Sequence, residues 1–197
     1  PVSEEVKIIT RVKYSDGKPY FVFIGGMYPR KNLARLLLAF EIFKSGMQSD
    51  IKLLIIGQDV WGTDEMYAIH DKMKFKDEVK FTGRINSSEE TGKVLASALA
   101  MTYVSVFEGF GIPVLEAMHC EIPIITSNVS SMPEVAGDAA CYCDPLSPES
   151  IADAMRKIAT DESYRKSLVE KGKARRQNFS WDKTAELFWQ CAERALH

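Results

Sequence analysis

Between residues 20 and 160, short apolar runs that stop at glycine alternate with stretches whose apolar residues recur at helical spacing. Residues 20–24 end in Gly25-Gly26, residues 51–56 end at Gly57, and residues 79–82 end at Gly83. Further runs follow at 100–106, 122–126 and 139–143. Runs this short and this continuously apolar suit parallel strands buried on both faces. Between them lie helical patterns at 32–44, 64–74, 87–98 and 113–119. In the first of these, Leu33, Leu36, Leu37, Phe40 and Phe43 mark one apolar stripe. The predicted fold is therefore α/β: a Rossmann-like, mostly parallel sheet with helices on both faces. Sheets of this kind bind ligands outside the carboxyl ends of their strands, so the residues just after each strand carry the most information.

The rest of the chain adds helices. Ser147 caps a predicted helix over 148–160 with Pro148 at its first position. A second helix is predicted over 162–177, and Ser180 caps a third over 181–195. Residues 1–19 show no pattern. In that last helix Trp181, Phe188 and Trp189 are expected to pack rather than to bind a ligand. The basic run Lys171, Lys173, Arg175 and Arg176 reads as a solvated face, with an anionic membrane surface as the second option.

The densest chemistry lies at Phe107-Glu108-Gly109-Phe110-Gly111-Ile112-Pro113-Val114-Leu115-Glu116, which joins a strand to a short helix. Gly109 and Gly111 allow the backbone to approach a ligand. Pro113 suits the first helical turn, where a missing N–H costs nothing. The amides near Gly111 and Ile112 are then free at a positive dipole end, a site suited to a diphosphate. Glu108 and Glu116 flank that position, an arrangement that fits a ligand carrying hydroxyls at both ends. The bland alternative is a tight turn with Glu116 complementing the helix dipole; it accounts for either glutamate alone but not for the set.

The segment Gly25-Gly26-Met27-Tyr28-Pro29-Arg30-Lys31-Asn32 places two cations at the start of a helix, against its dipole. A diphosphate there would relieve the conflict, with Arg30 forking onto its oxygens and Lys31 acting as a point charge.

Together these segments resemble the C-terminal domain of the group 1 (family 4) retaining glycosyltransferases, which have the GT-B fold. The resemblance covers nearly all of residues 20–195. It implies a single nucleotide-sugar-binding domain over 1–197, with a core at about 20–178 and a crossover helix at 180–196 that reaches towards an absent N-terminal acceptor domain. The family's two glutamates, with seven residues between them, match Glu108 and Glu116: the first lies near the donor sugar and the reacting centre, the second binds ribose hydroxyls. Lys31 and Arg30 join Glu108 as the catalytic set. The donor-binding set is Gly25, Gly26, Gly83, Arg84, Ile85, Gly109, Phe110, Gly111, Ile112, Pro113, Leu115 and Glu116, with the Phe81-Thr82-Gly83-Arg84-Ile85 loop on the nucleobase. The sequence departs from the family at Gly26, where many members carry arginine, and at Gly57-Gln58-Asp59, where many have Gly-x-Gly.

What this implies is transfer of a hexose, with mannose suggested by the Tyr-Pro-Arg-Lys-Asn form, from a UDP-sugar or GDP-sugar to a glycan or lipid-linked acceptor. No metal or other cofactor is expected. The alternatives are a non-catalytic nucleotide-sugar-binding module and a sugar-nucleotide epimerase of similar fold. Without its N-terminal half the domain is expected to be inactive. Its expected location is the cytoplasm, with a peripheral contact at the inner membrane face as the second option.

Composition narrows the partners. With 25 basic and 27 acidic residues the chain lacks the positive field of a nucleic-acid binder. No apolar run reaches membrane-spanning length. Residues 1–5 are polar and begin with proline, which reads as an excised domain without a signal peptide. Cys120, Cys141, Cys143 and Cys191 match no zinc spacing and are expected to be small buried side chains. His70, His119 and His197 are scattered, with no paired spacing for a metal.

Overall fold

The structure, a computed structural model, describes residues 2–196; His197 lies outside the described residues. Six strands form one sheet: β1 (Tyr20–Ile24), β2 (Lys52–Ile56), β3 (Val79–Gly83), β4 (Ala100–Tyr103), β5 (Ile124–Ser127) and β6 (Cys141–Cys143). Their order is β3-β2-β1-β4-β5-β6, and every neighbouring pair is parallel. The order reverses between β1 and β4, so the loops after these two strands diverge and leave a crevice at their carboxyl ends.

The helices are α1 (Glu4–Ser15), α2 (Leu33–Gly46), α3 (Asp64–Lys72), α4 (Ser88–Ala96), α5 (Ile112–Cys120), α6 (Met132–Ala136), α7 (Pro148–Thr160), α8 (Glu162–Arg175) and α9 (Trp181–Leu196). α2 packs with α3 and α7 on one face, while α1, α4, α5 and α8 form the other. The period of two in β1 feeds both layers. Phe21 meets Phe43 of α2 edge to face at 5.6 Å, and Tyr20 donates its hydroxyl to the Val94 carbonyl of α4 at 2.6 Å. The predicted stripe of α2 is the buried one: Leu33, Leu36, Leu37, Phe40 and Phe43 are all in the core. At about 1.5–3 kcal/mol for each large apolar side chain, that stripe alone outweighs any propensity term. Among the described residues no helix is long and apolar enough to cross a membrane.

Several expectations need correction. Residues 4–15 form a helix, started by Ser3, whose Oγ accepts the Val6 amide at 3.3 Å. Its buried residues are Thr10 and Ser15, while Ile8, Ile9 and Val12 face solvent, so its apolar period marks no core face. β4 ends at Tyr103 rather than at 106, because the Val106 amide leaves the ladder and donates to the Arg30 carbonyl at 2.9 Å. The basic run at the end of α8 is stitched down rather than solvated. Arg175 donates to the Val135 and Glu134 carbonyls, and Arg176 to the Met118 carbonyl at 3.0 Å. Lys171 pairs with Asp138, and Lys173 with Glu121 and Glu170. These bonds fasten α8 to α5 and α6. The aromatic residues of α9 do not pack within this chain: Trp181, Phe188 and Trp189 are exposed, and so is Cys191.

Candidate functional site

The carboxyl ends of β1 and β2 meet closely. The Gly25 amide donates to Ile56 O at 2.9 Å, and a side chain at Gly57, which has φ of +155°, would place its Cβ 1.8 Å from the Gly25 carbonyl oxygen. Only glycine fits there. The chain after β1 continues into a 3₁₀ turn, Pro29–Lys31, before α2 begins. The two cations therefore precede the helix instead of occupying its first turn. Asn32, in the left-handed region at φ 65°, is buried and donates its side-chain amide to Val104 O at 3.0 Å and Pro145 O at 2.7 Å. That anchor ties the turn to the ends of β4 and β6. It aims Lys31 inward and leaves Arg30 at the surface.

Both cations end on Glu108. Lys31 Nζ donates to Glu108 Oε1 at 2.6 Å and also reaches the Tyr103 hydroxyl. Arg30 Nη1 donates to Glu108 Oε2 at 2.8 Å and to Phe107 O at 3.2 Å. The side chains of Lys31 and Glu108 are only 9% and 7% exposed, whereas Arg30 keeps 46%. Burial pushes the Glu108 carboxyl up, but the hydrogen bonds from Lys31 and Arg30 and the lysine charge outweigh it and hold it below its ordinary value. For Lys31 burial dominates and lowers its ammonium despite Glu108. Arg30, held by Glu108 at the surface, is raised. Burial and the Glu108 charge push the Tyr103 phenol up, so it remains a neutral donor and acceptor. The Ser105 hydroxyl is buried beside this cluster without a hydrogen bond of normal geometry.

The loop after β5 clamps the other side of Glu108. The Glu108 amide donates to Ser130 Oγ at 2.9 Å, and the Ser130 hydroxyl donates back to Glu108 O at 2.6 Å. Ser131 Oγ lies 3.0 Å from Glu108 O and 2.9 Å from Phe110 O. Ser130 adopts φ of +61°, a strained conformation for a non-glycine residue, and this double bond holds it there.

Past the clamp, Gly111 turns the chain into α5 at φ +103°, against Met132, where an added Cβ would fall 2.4 Å from the methionine methyl. Among the described residues the amides of Gly109, Phe110, Gly111 and Ile112 donate no hydrogen bond, and the first turn of α5 carries no acidic residue. Four free N–H groups at a positive helix end form a cradle for an anion. Glu116 lies one turn further along α5. Its side chain reaches solvent and has no ion pair or hydrogen bond among the described residues, yet desolvation by the surrounding protein raises its carboxyl.

Gly83, Arg84 and Ile85 sit at the end of β3, joined to β2 by the bond from the Gly57 amide to Gly83 O at 3.1 Å. Arg84 is exposed, and Ile85 is half-buried against the core. From β3 to β4 the sheet spans three strand spacings, roughly 14 Å at about 4.8 Å each, a distance a nucleoside diphosphate can bridge. The structure thus brings Lys31, Arg30 and Glu108 into one cluster beside the Gly109–Ile112 amides. Gly25 and Gly26 lie behind it, Pro113, Leu115 and Glu116 continue along α5, and Gly83–Ile85 stands apart along the same edge. Sequence reasoning missed Tyr103, Asn32, Ser130 and Ser131. A hydroxyl at the end of an apolar strand was the one signal for Tyr103; the two serines lie in a segment, 126–140, that resembles the family's segment after this strand, but nothing there marked them individually.

A cavity of about 450 Å³ lies at the opposite, amino-terminal edge of the sheet, between Lys44–Ser49 and Lys74–Glu78. Its buried cation, Lys44, is already taken by Glu78 at 2.6 Å and by the Ser49 carbonyl.

The family model described as glycosyl transferases group 1 matches residues 6–175. The chain belongs to the group 1 glycosyltransferases. Among its curated relatives, an O-antigen chain mannosyltransferase B of Escherichia coli is 32% identical over 163 residues, covering 83% of this chain and 42% of that protein. The O-antigen chain mannosyltransferase RfbU of Salmonella typhimurium is 27% identical over 148 residues, covering 75% of this chain and 40% of the relative. The chain thus spans less than half the length of these curated relatives. Among solved structures, a sucrose-phosphate synthase from Thermosynechococcus elongatus superimposes with a TM-score of 0.79 at 23% identity, over 95% of this chain and 48% of that one. Anabaena HepE, solved in complex with UDP and glucose, gives a TM-score of 0.84 at 15% identity, over 98% of this chain and 53% of that one. At these identities the likeness is one of fold, that of one Rossmann-like half of a GT-B glycosyltransferase.

Proposed function

We propose that this chain is the donor-binding part of a retaining hexosyltransferase that moves mannose from a nucleoside-diphosphate sugar to a glycan or lipid-linked acceptor. The observation that carries the reading is the pairing of four unbonded amides at Gly109–Ile112 with the Lys31–Glu108–Arg30 cluster, one helical turn from a partnerless Glu116. In this reading the amides and the two cations hold the diphosphate, and Glu116 accepts the ribose hydroxyls. The base lies along Gly83–Ile85. Charge builds on the diphosphate as the glycosidic bond breaks, and fixed N–H dipoles and cations stabilise it without reorganisation. Glu108, released from its cations as they turn to the phosphate, faces the sugar and stabilises positive charge at the reacting carbon. No metal is assigned a role.

Mannose as the sugar is supported by the O-antigen relatives, which are named as mannosyltransferases, and a UDP-type ligand by the UDP bound to Anabaena HepE. A second half of the enzyme facing this edge fits the exposed Phe107, Phe110 and Ile112 around the cradle. The same reading places the enzyme in the cytoplasm.

Isothermal titration with UDP, GDP and their sugar conjugates, beside Glu116→Ala, tests the proposal. One nucleotide should bind, and the substitution should weaken it by roughly tenfold or more, the loss of a charge-assisted hydrogen-bond acceptor. A folded chain that binds none of them, or binds equally well without Glu116, overturns the assignment.

A further inference from the structure

The loop between β2 and α3 carries an aromatic side chain that nothing above uses. Trp61 is 63% exposed, and its ring stands edge-on to Tyr28 with centroids 6.0 Å apart. Tyr28 in turn lies under the Arg30 guanidinium, 5.8 Å from its ring centre, and Arg30 binds Glu108. Trp61 therefore stands at the rim of the candidate site.

The mounting is rigid. The Met27 amide donates to Gln58 O at 2.9 Å, and Met27 and Asp59 form a parallel bridge that extends the β1–β2 pairing. Asp59 accepts the Thr63 hydroxyl at 2.8 Å, and Gly62 lies flat on Pro29 with no room for a side chain between them. A loop tied down at these points lowers the ordering cost that binding at Trp61 would meet. Its neighbours in the loop and at the start of α3, Gln58, Asp59, Asp64 and Glu65, are all exposed. A protein–protein interface core is depleted of such charged residues. An apolar ring face bordered by planar hydrogen-bonding side chains instead matches a pyranose, which offers a C–H face and a rim of hydroxyls.

The geometry points to Trp61, backed by Tyr28, as a stacking platform for a neutral pyranose of the acceptor. It rests on the transferase reading, and it names the surface on which this half of the enzyme meets the sugar that accepts transfer. Bond formation at the reacting carbon is untouched by it: Trp61 positions, and the hydroxyl that attacks belongs to the acceptor.

The test is nuclear magnetic resonance of the ¹⁵N-labelled chain. Its three tryptophans, Trp61, Trp181 and Trp189, give separate indole signals, assigned with Trp61→Phe. Methyl α-mannopyranoside and an α-linked mannobiose are titrated to about 100 mM, ten times the ~10 mM dissociation constant expected of a single stacked ring. The Trp61 signal should move and saturate while Trp181 and Trp189 stay still. Trp61→Ala should weaken the remaining shifts at Tyr28 and Gly62 by about tenfold, and Trp61→Phe by less. A motionless Trp61 signal overturns the platform, as does one that moves with nucleotide but not with mannoside. A parallel titration with UDP and GDP, read at the Phe110–Ile112 amides, separates the two claims. Nucleotide shifts without a mannoside response sink the platform alone; mannoside shifts without any nucleotide response keep the platform and sink the donor site.

Discussion

Replacing Lys31 by methionine should destabilise the fold by about 3 kcal/mol, and replacing Glu108 as well should restore most of the loss. At 2.6 Å and an effective dielectric of about 20, the attraction between the two charges is roughly 6 kcal/mol. Both ions are also removed from water, at a cost of several kcal/mol each, so the intact pair is nearly neutral against apolar packing. Breaking it is different. With Lys31 gone, Glu108 keeps only the half-exposed Arg30, and breaking a buried pair costs about 3–5 kcal/mol. Arg30 places Lys31→Met at the low end. For a chain of this size, a 3 kcal/mol loss lowers the melting temperature by roughly 6–12 °C. In Lys31→Met/Glu108→Met neither charge remains buried, and stability should return to within about 2 kcal/mol of the parent, the residue being the unpartnered Tyr103 hydroxyl. Urea unfolding of the four proteins gives the coupling, which should be at least about 2 kcal/mol. Acid provides a second readout. The carboxyl of Glu108 is held below its ordinary value of 4.5, so its contribution is present above that value and lost as pH falls through the lowered one. If the single substitutions simply add in the double, the electrostatic account of this cluster is wrong.

Four further outcomes are expected. Because desolvation raises the Glu116 carboxyl, nucleotide affinity should fall at a higher pH than an ordinary carboxylate would dictate. Glu116→Gln should flatten that dependence in calorimetric titrations at several pH values, and a parent profile with no acid limb refutes the role. The same substitution should leave the melting temperature equal or raised, since folding no longer desolvates a charge. Gly57→Ala, which drives a Cβ to 1.8 Å from the Gly25 carbonyl, should cost about 3 kcal/mol or more by thermal unfolding; a change below about 1 kcal/mol means the strand ends are not held together as described. Sugar transfer by the whole enzyme should survive a chelator, since Lys31, Arg30 and the amides are assigned the diphosphate charge; loss of turnover on chelation and its return with a divalent ion refutes the metal-free assignment.

The layers were legible because they are local. Glycines at 25, 57 and 83 stop the runs where the strands stop, and the Leu33-to-Phe43 stripe faces the core it predicts. The loop at 108–116 was legible for the same reason: glycine and proline at fixed offsets state the turn in the sequence. What failed was long-range or inverted. Lys31 and Glu108 are 77 residues apart, so their pairing leaves no local trace. α1 was missed because its isoleucines and valine face outward while Thr10 and Ser15 face in. The basic run on α8 looked solvated because carbonyl acceptors, unlike carboxylates, carry no sequence signature. For α9 the amphipathic pattern is real, but the surface it suits is not provided by these residues.

On the proposed donor-site reading, the doubly held carboxylate decides which anions the site accepts. A cell is full of small anions, and a cleft with two bare cations beside four amides would fill with them. Here the positive charge is already spent within the protein, on Glu108. A lone inorganic phosphate that draws off one cation leaves the buried carboxylate less compensated and gains only part of the cradle. A larger molecule that reaches the amides, both cations and Glu116 together recovers more than it displaces. On the proposed donor-site reading the internal counter-ion acts as a threshold: it favours a ligand large enough to replace it everywhere at once.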